Sequence, residues 1–189
     1  MTDLAVTPSG ALYTISFTSL YSVNKSNAQA TFVMSISGSG NNGMTFLPDG
    51  TLLVSDSAGN VSKIDPNAHT VSNSGVYGNG FGSSGDLVAV GNGQMFGISS
   101  TAMGGSDASS SNVLLRVNVS TGVATAVGPI GYGNVWGLAY ANSRVIGFTN
   151  SGQIIQIDPA TGQGTLLASK GIQFWGAGMS PLVAANPCH

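Results

Sequence analysis

The sequence contains no glutamate and very few charged residues of any kind. Only 6% of its 189 residues are charged, against roughly 25% in typical soluble domains. Nucleic-acid-binding domains present a clustered basic surface, and a net charge of −2 with scattered cations excludes one. The surface must therefore depend on serine, threonine, asparagine and glycine, a neutral hydrogen-bonding composition that suits contact with another protein or with a sugar.

The chain also lacks a second cysteine and a long apolar run. Cys188 is the single cysteine, so no disulfide forms within the chain. No stretch approaches the roughly 18 apolar residues of a membrane span. The first residues have neither the basic flank nor the apolar stretch of a signal peptide. We therefore predict no membrane span and no signal peptide in this sequence.

Catalytic residue sets are missing as well. His69 and His189 are the only histidines, and neither has a cysteine, a carboxylate or a second histidine beside it in an evident motif. Nucleophilic triads and zinc sites need such groups together. The seven aspartates are scattered, with no spacing that pairs two of them. The sequence predicts a protein that is not an enzyme and that has no cofactor.

What the chain does contain is a repeat. Turns resembling Pro-Asp-Gly end at Gly10, Gly50, Gly93 and Ser143, which are 40 to 50 residues apart. Each turn lies between short alternating or β-branched runs, which is the pattern of half-buried strands. This period is typical of propeller blades with four strands each. We predict an all-β, single-domain propeller of antiparallel blades over residues 1–189, with units at about 3–42, 43–84, 85–134 and 135–173 and a partial unit at 174–189.

The turns between the predicted strands have recognisable chemistry. Asp49-Gly50 supplies a residue that accepts positive φ. In Asp65-Pro66-Asn67 and in Asp158-Pro159-Ala160 the proline presets φ for a type I turn. Asp65 and Asp158 are therefore predicted to accept backbone N–H groups in turns and not to take part in catalysis.

The phrases Gly-x-x-x-x-Pro-Asp-Gly-x-Leu, beginning at Gly43, and Ile-Asp-Pro-Ala-Thr-Gly, beginning at Ile157, carry a family resemblance. Here the chain resembles the bacterial NHL, YVTN and SMP-30-like β-propeller repeats, from residue 3 to about residue 181. The resemblance implies that the chain forms propeller blades. It implies almost nothing about activity, because propellers serve many functions. The SMP-30-like lactonases hold a metal partly with a glutamate, and this chain has none, so that site does not carry over.

Four complete units fit the chain, and a further strand is predicted at about residues 173–181. This extra strand has three interpretations: it closes the ring against the first unit, it extends to a neighbouring molecule, or it begins a further blade of a larger or five-bladed ring. An open ring would leave strand edges and sheet faces uncovered, which calls for a partner.

The segments between blades form the main candidate site. Equivalent loops of a propeller lie on one face, and three of these combine aromatic residues with glycine. A flat ring beside an amide can stack on a sugar and hydrogen-bond its hydroxyl groups. The alternative is that Phe81, Trp136, Phe174 and Trp175 only fill the gaps between blades. The candidate ligand-binding residues are Tyr77, Asn79, Phe81, Tyr132, Asn134, Trp136, Phe174 and Trp175.

Two other segments were considered as sites. Residues 80–85 match the Gly-x-Gly-x-x-Gly pattern, but a strand and not a helix is predicted after it, so it is interpreted as a loop between blades. Residues 101–111 form an insertion that is predicted to contact a partner, because loops on a rigid scaffold often do so. Asp107 alone supplies too few carboxylates for calcium.

The predicted function is a non-enzymatic structural or interaction propeller. The composition favours an assembly or surface protein such as a bacteriophage virion component, whether capsid-decorating, tail or fibre, located in the virion or at the cell exterior. Its expected partners are other protein subunits, including copies of itself, and not nucleic acid. One alternative is a glycan-binding, lectin-like propeller, and a second is the remnant of a propeller hydrolase.

Overall fold

The computed structural model describes residues 1–38, 40–100 and 111–182, in which sixteen strands and no helix are found. They form four sheets of four strands. The first sheet contains β1 (Asp3–Val6), β2 (Leu12–Ile15), β3 (Ser19–Val23) and β4 (Ala30–Ser35). The second contains β5 (Asn41–Phe46), β6 (Leu52–Asp56), β7 (Asn60–Asp65) and β8 (Thr70–Val76). The third contains β9 (Leu87–Ala89), β10 (Met95–Ser99), β11 (Val113–Val117) and β12 (Ala124–Pro129). The fourth contains β13 (Val135–Ala141), β14 (Arg144–Thr149), β15 (Gln153–Ile157) and β16 (Gly164–Ser169).

Each sheet is an antiparallel meander in which every strand pairs with the next strand in sequence. The third and fourth strands of every sheet share the same irregularity, a β-bulge. It falls at Leu20/Tyr21 in the first sheet and at the matching points of the others. A bulge bends a strand and increases its twist. The four blades therefore share a bend at the same position as well as a sequence repeat.

The inner strands β1, β5, β9 and β13 follow one another around the ring. β1 contacts β5, β5 contacts β9, and β9 contacts β13. The sheets thus form the four blades of a β-propeller, here called blades 1 to 4. The predicted fold class is confirmed.

The core consists of the apolar layers between successive blades. Period-two alternation sends neighbouring side chains of a strand to opposite faces, and blades 2 and 3 therefore each contribute to two layers. Ile15 and Leu52 belong to the layer between blades 1 and 2. Leu53 and Leu115 belong to the layer between blades 2 and 3. The layer between blades 3 and 4 contains Phe96, Ile98, Leu114, Leu138, Val145 and Ile155.

The predicted turn roles are confirmed. Asp65 Oδ1 accepts the backbone N–H groups of Asn67 and Ala68 at 2.9 and 3.0 Å, and these hydrogen bonds hold the pKa of Asp65 below its ordinary value. Asp158 Oδ1 accepts the N–H of Ala160 at 2.8 Å. Proline at the second turn position sets φ for this geometry.

Other predictions concern segments outside the sheets. The sequence predicts a further strand at about residues 173–181, and this prediction is wrong: residues 173–180 follow an irregular course, because no second strand pairs with them in the described residues. Most of the insertion at 101–111, including Asp107, lies outside the described residues. In the three described ranges, no helix is long and apolar enough to span a membrane.

Candidate functional site

Two buried aspartates from opposite blades meet where the inner strands converge. Asp3 is the first residue of β1, and Asp86 immediately precedes β9. Asp3 is 4% exposed to solvent, and Asp86 is fully buried. Their carboxyl groups lie close enough for each to shift the pKa of the other. Asp3 also accepts the backbone N–H of Met44 in blade 2. Asp86 Oδ2 accepts the N–H of Leu138 in blade 4 at 2.8 Å. The pair therefore joins all four blades.

The electrostatics of the pair follow from its burial. Desolvation disfavours a carboxylate, and it is the main reason why the pKa of Asp86 is raised to about 8. Burial also raises the pKa of Asp3 well above its ordinary value, and the neighbouring Asp86 raises it further. Two carboxyl groups in contact are stable when they share a proton. Since both side chains are enclosed, we assign them to ring assembly and not to substrate contact.

The residues after β16 lie beside this pair. We call residues 173–182 the closing segment. The backbone N–H of Ala177 donates to Asp86 Oδ2 at 2.7 Å, the same oxygen that Leu138 contacts. A Cβ placed on Gly176 would lie 3.2 Å from the carbonyl oxygen of Thr2, and one on Gly137 would lie 3.0 Å from Gly176. The closing segment therefore lies between the inner strands of blades 4 and 1.

The candidate ligand-binding residues do not all reach one surface. Tyr77 is fully buried in the layer between blades 2 and 3. Its hydroxyl lies near Ser55 and Ser83 but forms a hydrogen bond with neither, and burial raises its pKa to about 12. Phe81 packs against the same layer, and Tyr132 packs against the next one. These three rings thus pack between blades.

The two asparagines of the candidate set have backbone roles. Asn79 and Asn134 adopt positive φ, at 54° and 55°. Asparagine tolerates this left-handed conformation better than most residues. Asn79 Nδ2 also donates to the carbonyl of Ala124 at 3.4 Å. Their presence in these loops is explained by turn geometry, and sugar binding by them remains a prediction.

The remaining candidates do come together, at the closing segment. The ring centroids of Trp136 and Trp175 are 5.8 Å apart, and the two ring planes are inclined at 50°. The ring centroids of Phe174 and Phe148 are 5.3 Å apart. Trp175 is 56% exposed. The indole N–H of Trp136 is buried and has no hydrogen-bond partner in the described structure. A recess of about 160 Å³ adjoins this pair, lined by Met1, Thr2, Asp3, Leu4, Thr14, Trp175 and Gly176.

The exposed apolar residues are distributed unevenly among the blades. Of the ten large hydrophobic residues that are exposed in the described ranges, only Val76 and Val123 belong to blades 2 and 3. The others belong to blade 1, blade 4 or the flanking ends of the chain. They are Met1, Phe17, Phe32, Leu166, Leu167, Ile172, Trp175 and Leu182. The sequence pattern did not reveal this asymmetry, because these residues alternate like those of the other blades.

Other potential sites are less developed. The 80–85 loop contains the buried Ser83, whose hydroxyl donates to the carbonyl of Gly85 at 2.9 Å, and strand β9 follows it, as predicted. The phosphate-binding form of this pattern opens a helix. In the part of the chain that the structure describes, no three His, Cys, Asp or Glu side chains are grouped to hold a metal ion. His69 adopts positive φ in a turn.

Comparison with known proteins gives the fold and little more. No protein-family model matches the sequence, and no curated protein matches it. Among solved structures, the chain is similar to a chain of the crystal structure of a nidogen/laminin complex, with a TM-score of 0.62 and 9% sequence identity. The match covers 89% of this chain and 63% of that chain, so this chain spans less than two thirds of that length. By structure, the chain is a β-propeller of four complete blades.

Proposed function

We propose that this chain is a non-enzymatic protein-interaction propeller. One observation carries the proposal: the exposed large hydrophobic side chains are concentrated on blades 1 and 4 and the adjoining ends. Contiguous exposed apolar surface is rare on isolated soluble proteins and marks contact sites. The structurally similar chain comes from a nidogen/laminin complex, which is a precedent for protein contact by this fold.

The low charge of the chain supports the same proposal. The charged fraction is 6%, and charged residues are depleted in the cores of protein interfaces. A neutral surface does not repel copies of itself, so repeated subunits can pack side by side. We propose more specifically a role as an assembly or surface component, of the kind found in a bacteriophage capsid decoration, tail or fibre. The repeat is proposed to be of the NHL, YVTN and SMP-30-like type.

Association of the purified protein tests the proposal. We would measure the molar mass by light scattering and inspect the particles by electron microscopy, with and without candidate partner proteins such as capsid or tail subunits. Trp175→Ser and Phe17→Ser remove exposed apolar groups and should weaken association at least tenfold, whereas Val123→Ser on blade 3 should not. A strict monomer that joins no particle and binds no partner would contradict the proposal.

A second candidate function is glycan binding at Trp136 and Trp175. It is favoured by one exposed indole, that of Trp175, beside a second. Aromatic rings stack on sugars. A glycan array followed by titration of Trp175→Ala tests it: binding that the variant loses supports a sugar site. No binding to any sugar would remove this candidate.

The non-enzymatic part of the proposal needs its own test. Metal analysis of the purified protein and assays with lactone, ester and glycoside substrates address the propeller-hydrolase alternative. We expect no stoichiometric metal and no turnover. Turnover that is lost on substitution of an aspartate would overturn this part of the proposal while leaving the interaction surface in place.

A further inference from the structure

Blade 3 carries an open groove between two of its turns. The groove has a volume of about 660 Å³ and is lined by residues 93–95, 116–121, 123 and 125. Because the sheet is an antiparallel meander, the β9–β10 and β11–β12 turns lie at the same end of the blade, opposite the segments that connect the blades. Small-molecule sites have volumes in this range. We call this space the blade 3 groove; it is separate from the aromatic residues near the closing segment.

The arginine of this groove occupies a position where the repeat does not need one. In each blade, one residue of the third strand pairs with a serine or threonine of the fourth strand at the same register. This residue is Ser22 in blade 1, Lys63 in blade 2, Arg116 in blade 3 and Gln156 in blade 4. Since serine and glutamine fill the position in two blades, the blade architecture does not require an arginine.

Two contacts orient the guanidinium group of Arg116. Its Cζ atom lies 5.7 Å from the centroid of the Phe96 ring, and Nη2 donates to the carbonyl of Pro159 in blade 4 at 3.2 Å. A cation over an aromatic face is favourable. A guanidinium has five N–H donors, and within the described residues no carboxylate binds this one. Arg116 is exposed, so its remaining donors can reach a ligand.

The equivalent groove of blade 2 has the opposite charge balance. It is lined by Lys63 together with two carboxylates, those of Asp49 and Asp65. In blade 3, Asn92 and Asn118 accept the turn N–H groups that the two aspartates accept in blade 2. The turns therefore keep their geometry without carboxylates. Among the described residues that line the blade 3 groove, the arginine is the only ionisable side chain.

The rest of the groove offers uncharged polar groups and a small apolar surface. The side-chain amide of Gln94 and the hydroxyl of Ser120 line it, and neither has a hydrogen bond in the described structure. Val119 and Val123 supply the apolar part. Asp158, the residue before Pro159, does not line the groove. A matching ligand therefore carries one anionic group and several hydroxyl groups.

We propose that the blade 3 groove binds a small hydroxylated carboxylic acid of the uronic acid class. The planar fork of an arginine binds a carboxylate through two parallel hydrogen bonds, which a neutral sugar cannot replace. In this arrangement the sugar hydroxyl groups contact Gln94 and Ser120. The site goes beyond the proposed protein-interaction function and does not depend on it, because the groove lies on blade 3 and the exposed apolar residues are concentrated elsewhere.

Titration of the full-length, ¹⁵N-labelled protein with sodium D-glucuronate tests the proposal. We expect saturable NMR shifts of the amide N–H groups of Gln94 and Ser120 and of the side-chain Nε–H of Arg116. D-Glucose lacks the carboxylate, and the amide of acetyl-aspartate has a carboxylate but no sugar hydroxyls. Each should bind at least tenfold more weakly at equal ionic strength. No saturable shift with glucuronate would overturn the proposal, and equal binding of the aspartate compound would overturn the hydroxylated class.

Substitution of the arginine tests its role. Arg116→Gln should weaken glucuronate binding at least tenfold, and Arg116→Lys, which keeps the charge and loses the fork, should weaken it less. Lys63→Gln, at the equivalent position of blade 2, is the matched control and should bind normally. Circular dichroism and urea titration establish that each variant folds, since Arg116 also contacts blade 4. Unchanged binding to a folded Arg116→Gln protein would overturn the proposal.

A second pair of variants leaves the arginine in place. Val123→Glu adds a carboxylate to the groove at a residue that is 47% exposed, and it should weaken glucuronate binding at least tenfold. Val76→Glu adds the same charge on blade 2, at a valine that is 45% exposed, and should bind normally. Equal weakening by both would show that net charge and not the groove controls binding, and would overturn the site. Protein association through blades 1 and 4 would be unaffected by that result.

Discussion

The buried carboxyl groups of Asp3 in blade 1 and Asp86 in blade 3 interact electrostatically where the four inner strands converge. Together they accept backbone N–H groups from Met44, Leu138 and Ala177, which belong to blade 2, blade 4 and the closing segment. A carboxyl group with two oxygens can serve several donors at once. The pair thus fixes the positions of all the inner segments with two side chains.

The aspartate pair predicts a stability that falls as pH rises. The pKa of Asp86 is raised from 3.8 to about 8 in the folded protein, so between these values the folded state binds more protons than the unfolded state. The stabilisation is complete below about pH 4 and is lost as pH rises toward 8. One proton gives a slope of about 1.4 kcal/mol per pH unit. Urea unfolding between pH 5 and pH 9 measures it.

Asp86→Asn is the corresponding variant. An amide cannot ionise, and its N–H₂ group can replace the shared proton as donor to Asp3. We expect the pH slope between 5 and 9 to flatten and the variant to gain stability relative to wild type at pH 8. Asp65→Asn, in an exposed turn, should leave the slope unchanged. A wild-type slope in Asp86→Asn would show that the pair does not hold a proton.

We predict that the inner strand of blade 2 has no room for a side chain at Gly43. A Cβ there would lie 2.5 Å from Ser55 Oγ and 2.7 Å from the carbonyl oxygen of Gly85. The second contact is with backbone, which cannot move aside. Gly43→Ala should therefore lower the free energy of unfolding by about 1–3 kcal/mol, as overpacking does. Chemical denaturation measures the change.

Gly171 offers the matched control for this substitution. It is exposed, and a Cβ there would have no neighbour within 4 Å. Gly171→Ala should change the unfolding free energy by less than about 0.5 kcal/mol. Equal effects of Gly171→Ala and Gly43→Ala would contradict close approach of blades 2 and 3 at Gly43.

We predict that the buried hydroxyl group of Tyr77 contributes nothing to the stability of the folded protein. The ring is fully buried, and its hydroxyl has no hydrogen-bond partner in the described structure. An unsatisfied polar group carries a desolvation cost, so Tyr77→Phe should leave the unfolding free energy unchanged or raise it. Tyr77→Ala, which empties the same space, should lower it by about 3–5 kcal/mol. A destabilised Tyr77→Phe would reveal a hydrogen bond to Ser55 or Ser83.

We predict that shortening the side chain of Leu114 destabilises the layer between blades 3 and 4. Its side chain is completely buried there. Leu114→Ala removes apolar contact and leaves a cavity, so the unfolding free energy should fall by about 2–5 kcal/mol. Leu167 on β16 is 54% exposed, and Leu167→Ala should lower the free energy much less. Thermal and urea unfolding would check both, and equal losses would contradict the assigned burial.

Much of the fold could be predicted from the sequence because its signals are local. A turn such as Asp65-Pro66-Asn67 sets its own geometry through proline and one carboxylate, as the structure confirms. Alternation within six residues sets the two faces of a strand. Repetition of these signals every 40 to 50 residues predicts blades. None of this needs knowledge of distant contacts.

The site could be predicted only in part, because residues in equivalent loops meet different neighbours. Trp136 and Trp175 lie beside the closing segment and pair with each other. Tyr77 lies in the loop before blade 3, but its ring is buried in the layer between blades 2 and 3. A loop pattern specifies the face of the propeller and does not specify whether a side chain turns into the core.

The sequence by itself determined the sixteen strands, their turns and the blade period, since each depends on residues close together in the chain. Only the tertiary structure decided that Asp3 meets Asp86, that the closing segment lies between blades 4 and 1, and which large apolar side chains stay exposed. These features depend on how the ring closes. Closure brings residues 2–4 and the closing segment together, and the geometry of contacts between such distant residues is not written in any local pattern.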